Sequence, residues 1–493
     1  MERVLIASDI HCCHIDWYGV KNLDRMNLFV KHVEEEYKKE PFSALLLLGD
    51  YSLDHWIGKG SYLEKGICNT KMFCDVVVKK TVLEGMVEEY NNTVGKEKGI
   101  EIVYEVRGGD YNQNLQIALE AGNAADMFMG GNLQELVQKD QVAALEDLPG
   151  GQELVEKFKD YLVPLSHTYE GKTYRAPFSM TTRALVYNKD MFKAAGLVDE
   201  NGEAKPPVTI AEMREYAKKL TNAEKKEYGI ILPLKWGDGW YHSDIWNLMP
   251  SSTGNDGYDY KTGTWDFAKL EPLAQVYLDI KADGSYYPGA EGLDNDAARA
   301  RFAEGGIGMK LAFSFDVGVF NDQFPAKCDW GVAKLPVIDE NDTYKQRASG
   351  KTFCAINKAS VEKVGGEKLM EVYKWFTSDE TLAKLYENGV EIPYDYEIFK
   401  DIKIDNPKKG WVEFSALVGD SVVMHPTPGV DLAGQDIASA AYINNVWTGK
   451  MTAKEFVDAY TKIYNDGMAK YKELNPNYDA SYTLNPNWDI SIK

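Results

Sequence analysis

The segment "YRAPFSMTTRALVYNKDMFKAAGL" (174–197) lies within a long region in which strand-like and helix-like stretches alternate. This region runs from about residue 80 to the end of the chain, and Gly and Pro punctuate it. Alternating strands and helices indicate an α/β architecture. A region of this length needs two such sheets to cover it, so the sequence predicts two lobes.

The composition is that of an ordinary globular protein, and it excludes several classes of function. Of the 493 residues, 44% are hydrophobic and 27% are charged, and the formal net charge is −21. This charge argues against a nucleic-acid partner, because binding phosphates requires a surplus of Lys and Arg. The six cysteines have neither a disulfide framework nor zinc-ligand spacing. The start "MERVLIASD" (1–9) lacks the basic and apolar regions of a secretory signal, so we expect no signal peptide.

The first 50 residues have a different character. An apolar run leads into Asp9 and His11, a helical pattern follows over 23–39, and "ALLLLGD" (44–50) ends in Asp50. The run "ALLLL" is far too short to cross a membrane and suits a buried strand. The order strand, helix, strand predicts a βαβ unit, with both aspartates at the carboxyl ends of the strands. Asp9, His11 and Asp50 are therefore candidate ligands of a divalent cation.

This stretch resembles the start of the calcineurin-like metallophosphoesterases, through Asp9-Ile10-His11 and Gly49-Asp50. That family also requires later blocks in which a histidine follows Asn or Gly. None of the seven histidines of this chain does so. The resemblance therefore implies a truncated α/β segment over 1–75 with an incomplete metal site. We expect at most weak divalent-metal binding there, no required cofactor and no catalysis.

The remainder of the chain, over about 80–490, resembles the family 1 extracellular solute-binding proteins of ABC sugar importers. The opening segment resembles that family's hinge strand, with Pro177 and the run Tyr187-Asn188-Lys189-Asp190. Five further stretches also resemble that family and occur in its order along the chain, one before the opening segment and four after it. They are "YNQNLQIALEAGNAADMF" (111–128), "ARFAEGGIGMKLAFSFDVGVF" (300–320), "WGVAKLP" (330–336), "ASGKTFCAINKAS" (348–360) and "KLMEVYKWFTSDETLAKLYENGVEIP" (368–393).

The resemblance implies a two-lobed fold of the periplasmic-binding-protein class, type II, the maltose-binding type. It places the first lobe at about 80–185 and 305–365 and the second at about 186–304 and 366–490, within a domain of 76–493. It further implies a monomer outside the cytoplasm that captures a carbohydrate, with an oligosaccharide as the expected ligand, and delivers it to an ABC permease. The family's first strand should precede residue 81. Here "CDVVVKK" (74–80) is the candidate substitute, so the chain looks like a fusion of two gene fragments.

The candidate ligand-binding residues are mostly aromatic, because a sugar presents an apolar C–H face and a rim of hydroxyls. The cluster "KWGDGWYHSDIW" (235–246) contributes Trp236, Trp240, Tyr241 and Trp246. Phe315 stands where the family often has a stacking Trp. Asn132 follows Gly130 and Gly131, which allow close backbone approach, and Tyr111 opens a helix.

Three alternatives stay open. Each of these aromatic residues has core packing as its competing role. The whole chain has a competing function as a metal-dependent phosphoesterase whose large domain acts as a sensor. A fusion that has lost the first-lobe strand, and with it ligand binding, is a third interpretation.

Overall fold

The computed structural model describes residues 4–8, 44–48, 82–105, 111–236 and 244–492; at 4–8, 44–48, 236 and 244 it describes the backbone alone. The chain divides into two compact units, Met1–Tyr111 and Asn112–Lys493.

Strands and helices alternate through the described residues, as predicted for an α/β protein. The strands are β1 Val4–Ser8, β2 Ala44–Leu48, β3 Met127–Phe128, β4 Val142–Ala143, β5 Thr168–Tyr169, β6 Lys172–Thr173, β7 Pro177–Thr181, β8 Arg183–Asn188, β9 Tyr228–Ile230, β10 Tyr258–Asp259, β11 Thr264–Trp265, β12 Ile307–Phe313, β13 Trp330–Ala333, β14 Gln346–Thr352, β15 Ala355–Asn357 and β16 Ser421–Val423. The α-helices are α1 82–92, α2 Val94–Lys98, α3 Tyr111–Glu120, α4 Leu133–Gln138, α5 Gly151–Phe158, α6 Lys189–Ala194, α7 Ile210–Leu220, α8 Asp244–Thr253, α9 Glu271–Ala282, α10 Asn295–Ala303, α11 Asp316–Gly318, α12 Lys358–Ser360, α13 Gly366–Phe376, α14 Asp379–Glu387, α15 Trp411–Ala416, α16 Ala438–Ala441 and α17 Ala453–Leu474.

In the first unit, β1 pairs in parallel with β2, which confirms the predicted parallel strands. The helix predicted over 23–39 and the substitute strand predicted over 74–80 lie outside the described residues. The run "IEIVYEV" (100–106) is typical of a strand, but its described part, 100–105, does not form one. The backbone of Ile102 bonds to the Asn91 side chain and not to another strand. The Asn91 Oδ1 accepts from the Ile102 N–H at 2.8 Å, and its Nδ2 donates to the Ile102 carbonyl at 2.9 Å.

The central sheet of the second unit has the order β13-β8-β12-β9. In β8 the side chains alternate between two cores: Leu185 and Tyr187 pack in one cluster, Ala184 and Val186 in the other. Every residue of β8 and β12 is buried. The opening segment of the sequence thus includes a continuous apolar run because both faces of its strand are covered.

Two smaller sheets stand beside the central one, in the orders β3-β15-β4 and β16-β14-β7. The chain passes from β7 into the central sheet at a single residue, Thr182, which is fully buried. Its hydroxyl donates to the Phe414 carbonyl at 2.8 Å. This contact satisfies a polar group at the point where the chain changes sheets. The segment 174–197 therefore connects two sheets.

Strand pairing distributes residues 305–365, which were predicted to lie in the first lobe, over different sheets. β12 and β13 both pair with β8, and β12 also pairs with β9. Only β15 joins β3 and β4. The helix α13 contacts the ends of β7 and β14: the Tyr373 hydroxyl accepts at 2.8 Å from the N–H of Ala176, directly before β7, and its ring lies 5.0 Å from that of Phe353, directly after β14.

Candidate ligand-binding site

One half of the predicted site lies at an edge of the central sheet. The strands β12 and β9 are parallel neighbours, with Ile307 opposite Tyr228 and Met309 opposite Ile230. Carboxyl ends of parallel strands meet at the same edge, which is where open α/β sheets bind ligands. After β12 the chain enters the loop with Phe315, and after β9 it enters the turn 234–236. The backbones that carry Phe315 and Trp236 therefore leave adjacent strands at this edge.

Phe315 presents a partly exposed aromatic ring at this edge. Its exposure is 47%, whereas that of Phe313 is 4%. The two rings are parallel within 5°, with centroids 5.1 Å apart. The guanidinium carbon of Arg183 lies 5.2 Å from the Phe313 centroid, and that of Arg299 lies 5.2 Å from the Phe315 centroid. A pair of stacked rings with a cation at each member is stabilised by cation–π attraction.

Arg299 is fixed by carboxylates on both sides of it in the sequence. Its guanidinium pairs with Asp316 at 2.5 Å and with Asp296 at 2.7 Å. Asp316 is fully buried, and its Oδ2 accepts from the Phe313 N–H at 3.0 Å. Burial alone would lower the pKa of Arg299, but the two carboxylates outweigh it and raise that pKa above its ordinary value. Arg299 is therefore a permanent cation with little freedom to move.

The turn that ends at Trp236 is tied to the helix that carries Arg299. The Lys235 N–H donates to the Leu293 carbonyl at 3.1 Å. Leu293 directly precedes Asp294, which caps the N-terminus of α10 by accepting from the Ala297 N–H at 2.9 Å. One helix thus anchors both loops of this edge. The Trp236 side chain lies outside the described residues, as do Trp240 and Tyr241.

Trp246 occupies a different environment. It lies on α8 with 0% exposure, among the residues of the larger core cluster. Its ring meets that of Phe456 edge to face, with centroids 6.4 Å apart and planes at 89°. This is the geometry of a packed core aromatic residue. Trp246 is therefore closed to solvent, whereas Phe315 is half-exposed, although ligand contact was predicted for both.

The other half of the predicted site is the loop after β3. Gly130 and Gly131 both have positive φ, at 81° and 74°, and Arg175 donates from its guanidinium to both of their carbonyls. Asn132 is exposed and caps α4, because its Oδ1 accepts from the Glu135 N–H at 3.1 Å. That bond leaves its amide N–H₂ for other partners. The Asn132 side chain is therefore in part a helix cap.

Tyr111 is half-buried at the first position of α3. The next residue, Asn112, accepts through its Oδ1 from the Gly131 N–H at 3.2 Å. Asn112 was not among the predicted site residues. Asparagine at a helix start reads as an ordinary terminal residue, and nothing in the sequence spacing links it to the glycines of the next loop.

Three segments connect the β3-β15-β4 sheet with the central sheet: β7, β14 and residues 390–395. The third segment bonds to β7, since the Met180 N–H donates to the Ile392 carbonyl at 2.8 Å. One acidic side chain joins all three. Glu391 accepts from the Ser179 hydroxyl at 2.9 Å and from the Lys351 ammonium at 2.8 Å.

The predicted metal ligands Asp9, His11 and Asp50 lie outside the described residues. Within the ranges that the structure describes, no group of three or more His, Cys, Asp or Glu side chains is placed to hold a metal ion. In the same ranges, no helix has both the length and the apolar character of a membrane span.

Sequence reasoning missed Arg183, Arg299 and Asp316. In "NDAARARFAEG" (295–305) the arginines resemble those of a solvated helix face, and Arg301 is one: it is half-exposed and paired with Glu304. Arg299 and Arg301 differ only in the direction that the helix gives them. The sequence offered one signal of the ion pair with Arg299, namely Asp316 directly after Phe315.

Comparisons with known proteins show which family the sequence of this chain matches. The model of the family described as bacterial extracellular solute-binding protein matches residues 79–383. The sn-glycerol-3-phosphate-binding periplasmic protein of Pectobacterium atrosepticum is 24% identical over 411 residues, which cover 75% of this chain and 85% of that protein. The maltotriose-binding protein of Pyrococcus abyssi is 24% identical over 330 residues, 66% of each chain.

The crystal structure of the cyclic alpha-maltosyl-1,6-maltose binding protein from Arthrobacter globiformis also matches. It has a TM-score of 0.59 and 18% identity, and the match covers 80% of this chain and 96% of that one. At this identity the likeness shows the fold alone, which is mixed α/β and like that of maltose-binding protein. The matches cover the larger part of the chain, and the metallophosphoesterase resemblance of the first 75 residues has no counterpart among them.

Proposed function

Since this chain belongs to the bacterial extracellular solute-binding protein family, we propose that it captures an oligosaccharide between two lobes and delivers it to an ABC permease. The observation that carries this proposal is Phe315: a half-exposed aromatic ring at the carboxyl end of a parallel strand in a maltose-binding-protein-like fold. Stacking on a sugar's C–H face uses such a ring at little cost in side-chain entropy.

The first half of the proposed site is the Gly130–Asn132 loop, whose peptide groups and Asn132 amide supply polar contacts to sugar hydroxyls. Trp236, Trp240 and Tyr241 complete the second half together with Phe315. Trp246 supports this half from the core, because its indole is closed to solvent. Asn112 holds the first loop in position, because its Oδ1 accepts from the Gly131 N–H.

The two arginines beside the stacked rings favour a neutral sugar over a phosphate ester at this edge. A guanidinium binds a phosphate best when its N–H groups are available for that contact. Arg299 is paired with two carboxylates, and Arg183 donates to the Arg347 carbonyl and the Ser349 hydroxyl at 3.0 Å each. Both guanidinium groups are thus already engaged.

Closure about β7, β14 and residues 390–395 is the proposed response to ligand, with a monomer outside the cytoplasm as the working form. The competing function, a metal-dependent phosphoesterase, depends on Asp9, His11 and Asp50. It predicts close to two metal ions per purified chain. The solute-binding proposal predicts none that ligand binding requires.

Isothermal titration calorimetry tests the proposal. The purified chain is titrated with maltose, maltotriose, maltotetraose and sn-glycerol 3-phosphate, each also against Phe315→Ala. Tyr478→Ala is the matched control, because that half-buried ring lies beside Tyr471 of the last helix and not at the strand edge. Binding of a maltooligosaccharide that only Phe315→Ala weakens supports the proposal. Binding of the glycerol phosphate alone would replace the sugar with a phosphorylated solute.

A further inference from the structure

We infer that Arg299 is a positioning residue of the proposed site: its guanidinium holds the Phe315 ring in the orientation that a ligand stacks on. The inference rests on the proposed function. It goes beyond that function in naming a residue that does not itself contact the ligand.

The contacts of Arg299 form a continuous path from the core to the exposed ring. Asp316 is fully buried and is anchored to the backbone of β12 by the Phe313 N–H. The Asp316 carboxylate pairs with Arg299, and the Arg299 guanidinium then lies 5.2 Å from the Phe315 centroid. Each step joins a less exposed group to a more exposed one. The half-exposed ring is thus connected to a fixed point of the strand.

This role requires arginine rather than any cation. The guanidinium is planar, so it lies against a ring while its N–H groups bond to carboxylates. Here two separate carboxylates, Asp296 and Asp316, bind it at the same time as the ring contact. A lysine ammonium carries the same charge, but it is compact and cannot supply a flat surface. Replacement of Arg299 by Lys therefore preserves the charge and removes the contact surface.

The consequence for binding is pre-organisation. A ring that already has the bound orientation loses less freedom when a ligand stacks on it, and the saved entropy appears as affinity. The helix α10 extends this effect to the neighbouring turn, because Leu293, directly before its cap, accepts from the Lys235 N–H. One helix thereby fixes both loops of the strand edge.

The alternative is that Arg299 only compensates the buried charge of Asp316. Removing one partner of such a pair is strongly destabilising on its own, so loss of stability does not distinguish the two roles. The double variant Arg299→Met with Asp316→Asn removes the buried charge together with its partner. In addition, the matched surface control Arg301→Met changes a half-exposed arginine of the same helix that pairs with Glu304.

The first measurement needs no ligand. With 4-fluorophenylalanine incorporated at position 315 in the full chain, ¹⁹F NMR reports the surroundings and motion of that ring. In Arg299→Lys and in the double variant we expect the signal to move towards the shift of the free amino acid and to narrow. Arg301→Met should leave it unchanged. An unchanged signal in Arg299→Lys overturns the inference, whatever the chain binds.

The second measurement is calorimetry with maltotriose. We expect Arg299→Lys to weaken binding about three- to twentyfold, on the scale of a partly desolvated cation–π contact. The same change in a Phe315→Ala background should have little further effect. An equal loss in both backgrounds would overturn the positioning role. If the unaltered chain binds no sugar of the panel, the proposed function fails, and the ¹⁹F result still decides the role of Arg299.

Discussion

Trp246 and Phe315 are both aromatic residues for which ligand contact was predicted, yet the chain uses them in opposite ways. Trp246 has 0% exposure and meets Phe456 in the core, whereas Phe315 has 47% exposure beyond the end of β12. The difference comes from position along the element. Phe315 follows the last residue of a strand, where the chain leaves the sheet, and Trp246 lies inside a helix that packs on a core. Aromatic character alone does not indicate which role a residue has.

The core side of this comparison gives the largest expected effect. Trp246→Ala should lower the free energy of unfolding by about 3 to 5 kcal/mol, because it removes a large buried side chain and leaves a cavity. Thermal and urea unfolding measure the loss. Trp246→Phe fills most of the space and should lose much less. If Trp246→Ala melts like the unaltered chain but loses ligand affinity, the core assignment is wrong.

The buried imidazole of His167 predicts how the stability of the core depends on pH. Burial lowers the pKa of His167 to about 4, and its Nδ1 accepts from the Val163 N–H at 2.9 Å. Between pH 6.5 and about 4 the unfolded chain binds a proton there that the folded chain does not. Stability should therefore fall by about 3 kcal/mol as the pH falls through this window, at about 1.4 kcal/mol per pKa unit.

Chemical unfolding at several pH values measures this loss against His167→Asn, whose side-chain oxygen is placed to accept the same N–H. The carboxylates contribute equally to both chains, so the difference in slope belongs to His167. Parallel pH profiles for the two chains would show that the imidazole is protonated as readily in the folded state as in the unfolded one.

The exposed side of the comparison predicts the reverse pattern for Phe315→Ala. Affinity for the bound oligosaccharide should fall by about 1 to 3 kcal/mol, the value of one aromatic contact, because the ligand loses its stacking surface. The melting temperature of the unliganded protein should change little, since the ring is half in solvent. Calorimetry and thermal unfolding give both values. An early melting transition with unaltered affinity would place Phe315 in the core with Trp246.

The sequence predicted the α/β class and the parallel pair β1–β2, because these depend on local hydrophobic runs and their order. It did not predict how the later strands pair. Both β12 and β15 are short buried strands, and only their partners distinguish them. The stacking arginine was missed for a related reason: Arg299 and Arg301 are equivalent in composition, and helix rotation alone directs one of them to Phe315.

The smallest expected effect concerns the proposed hinge between the two halves of the proposed site. Lys351 pairs with Glu391 across two connecting segments, and its side chain is 45% exposed. A pair so exposed to solvent contributes below about 0.5 kcal/mol to stability, so Lys351→Ala should barely change unfolding. It should instead change the balance between open and closed forms, because the contact links segments that closure moves. Small-angle scattering with and without maltotriose measures that balance. Lys358→Ala, which breaks an exposed pair with Asp140 away from the hinge, is the control, and equal scattering changes in both variants would contradict a hinge role for Lys351.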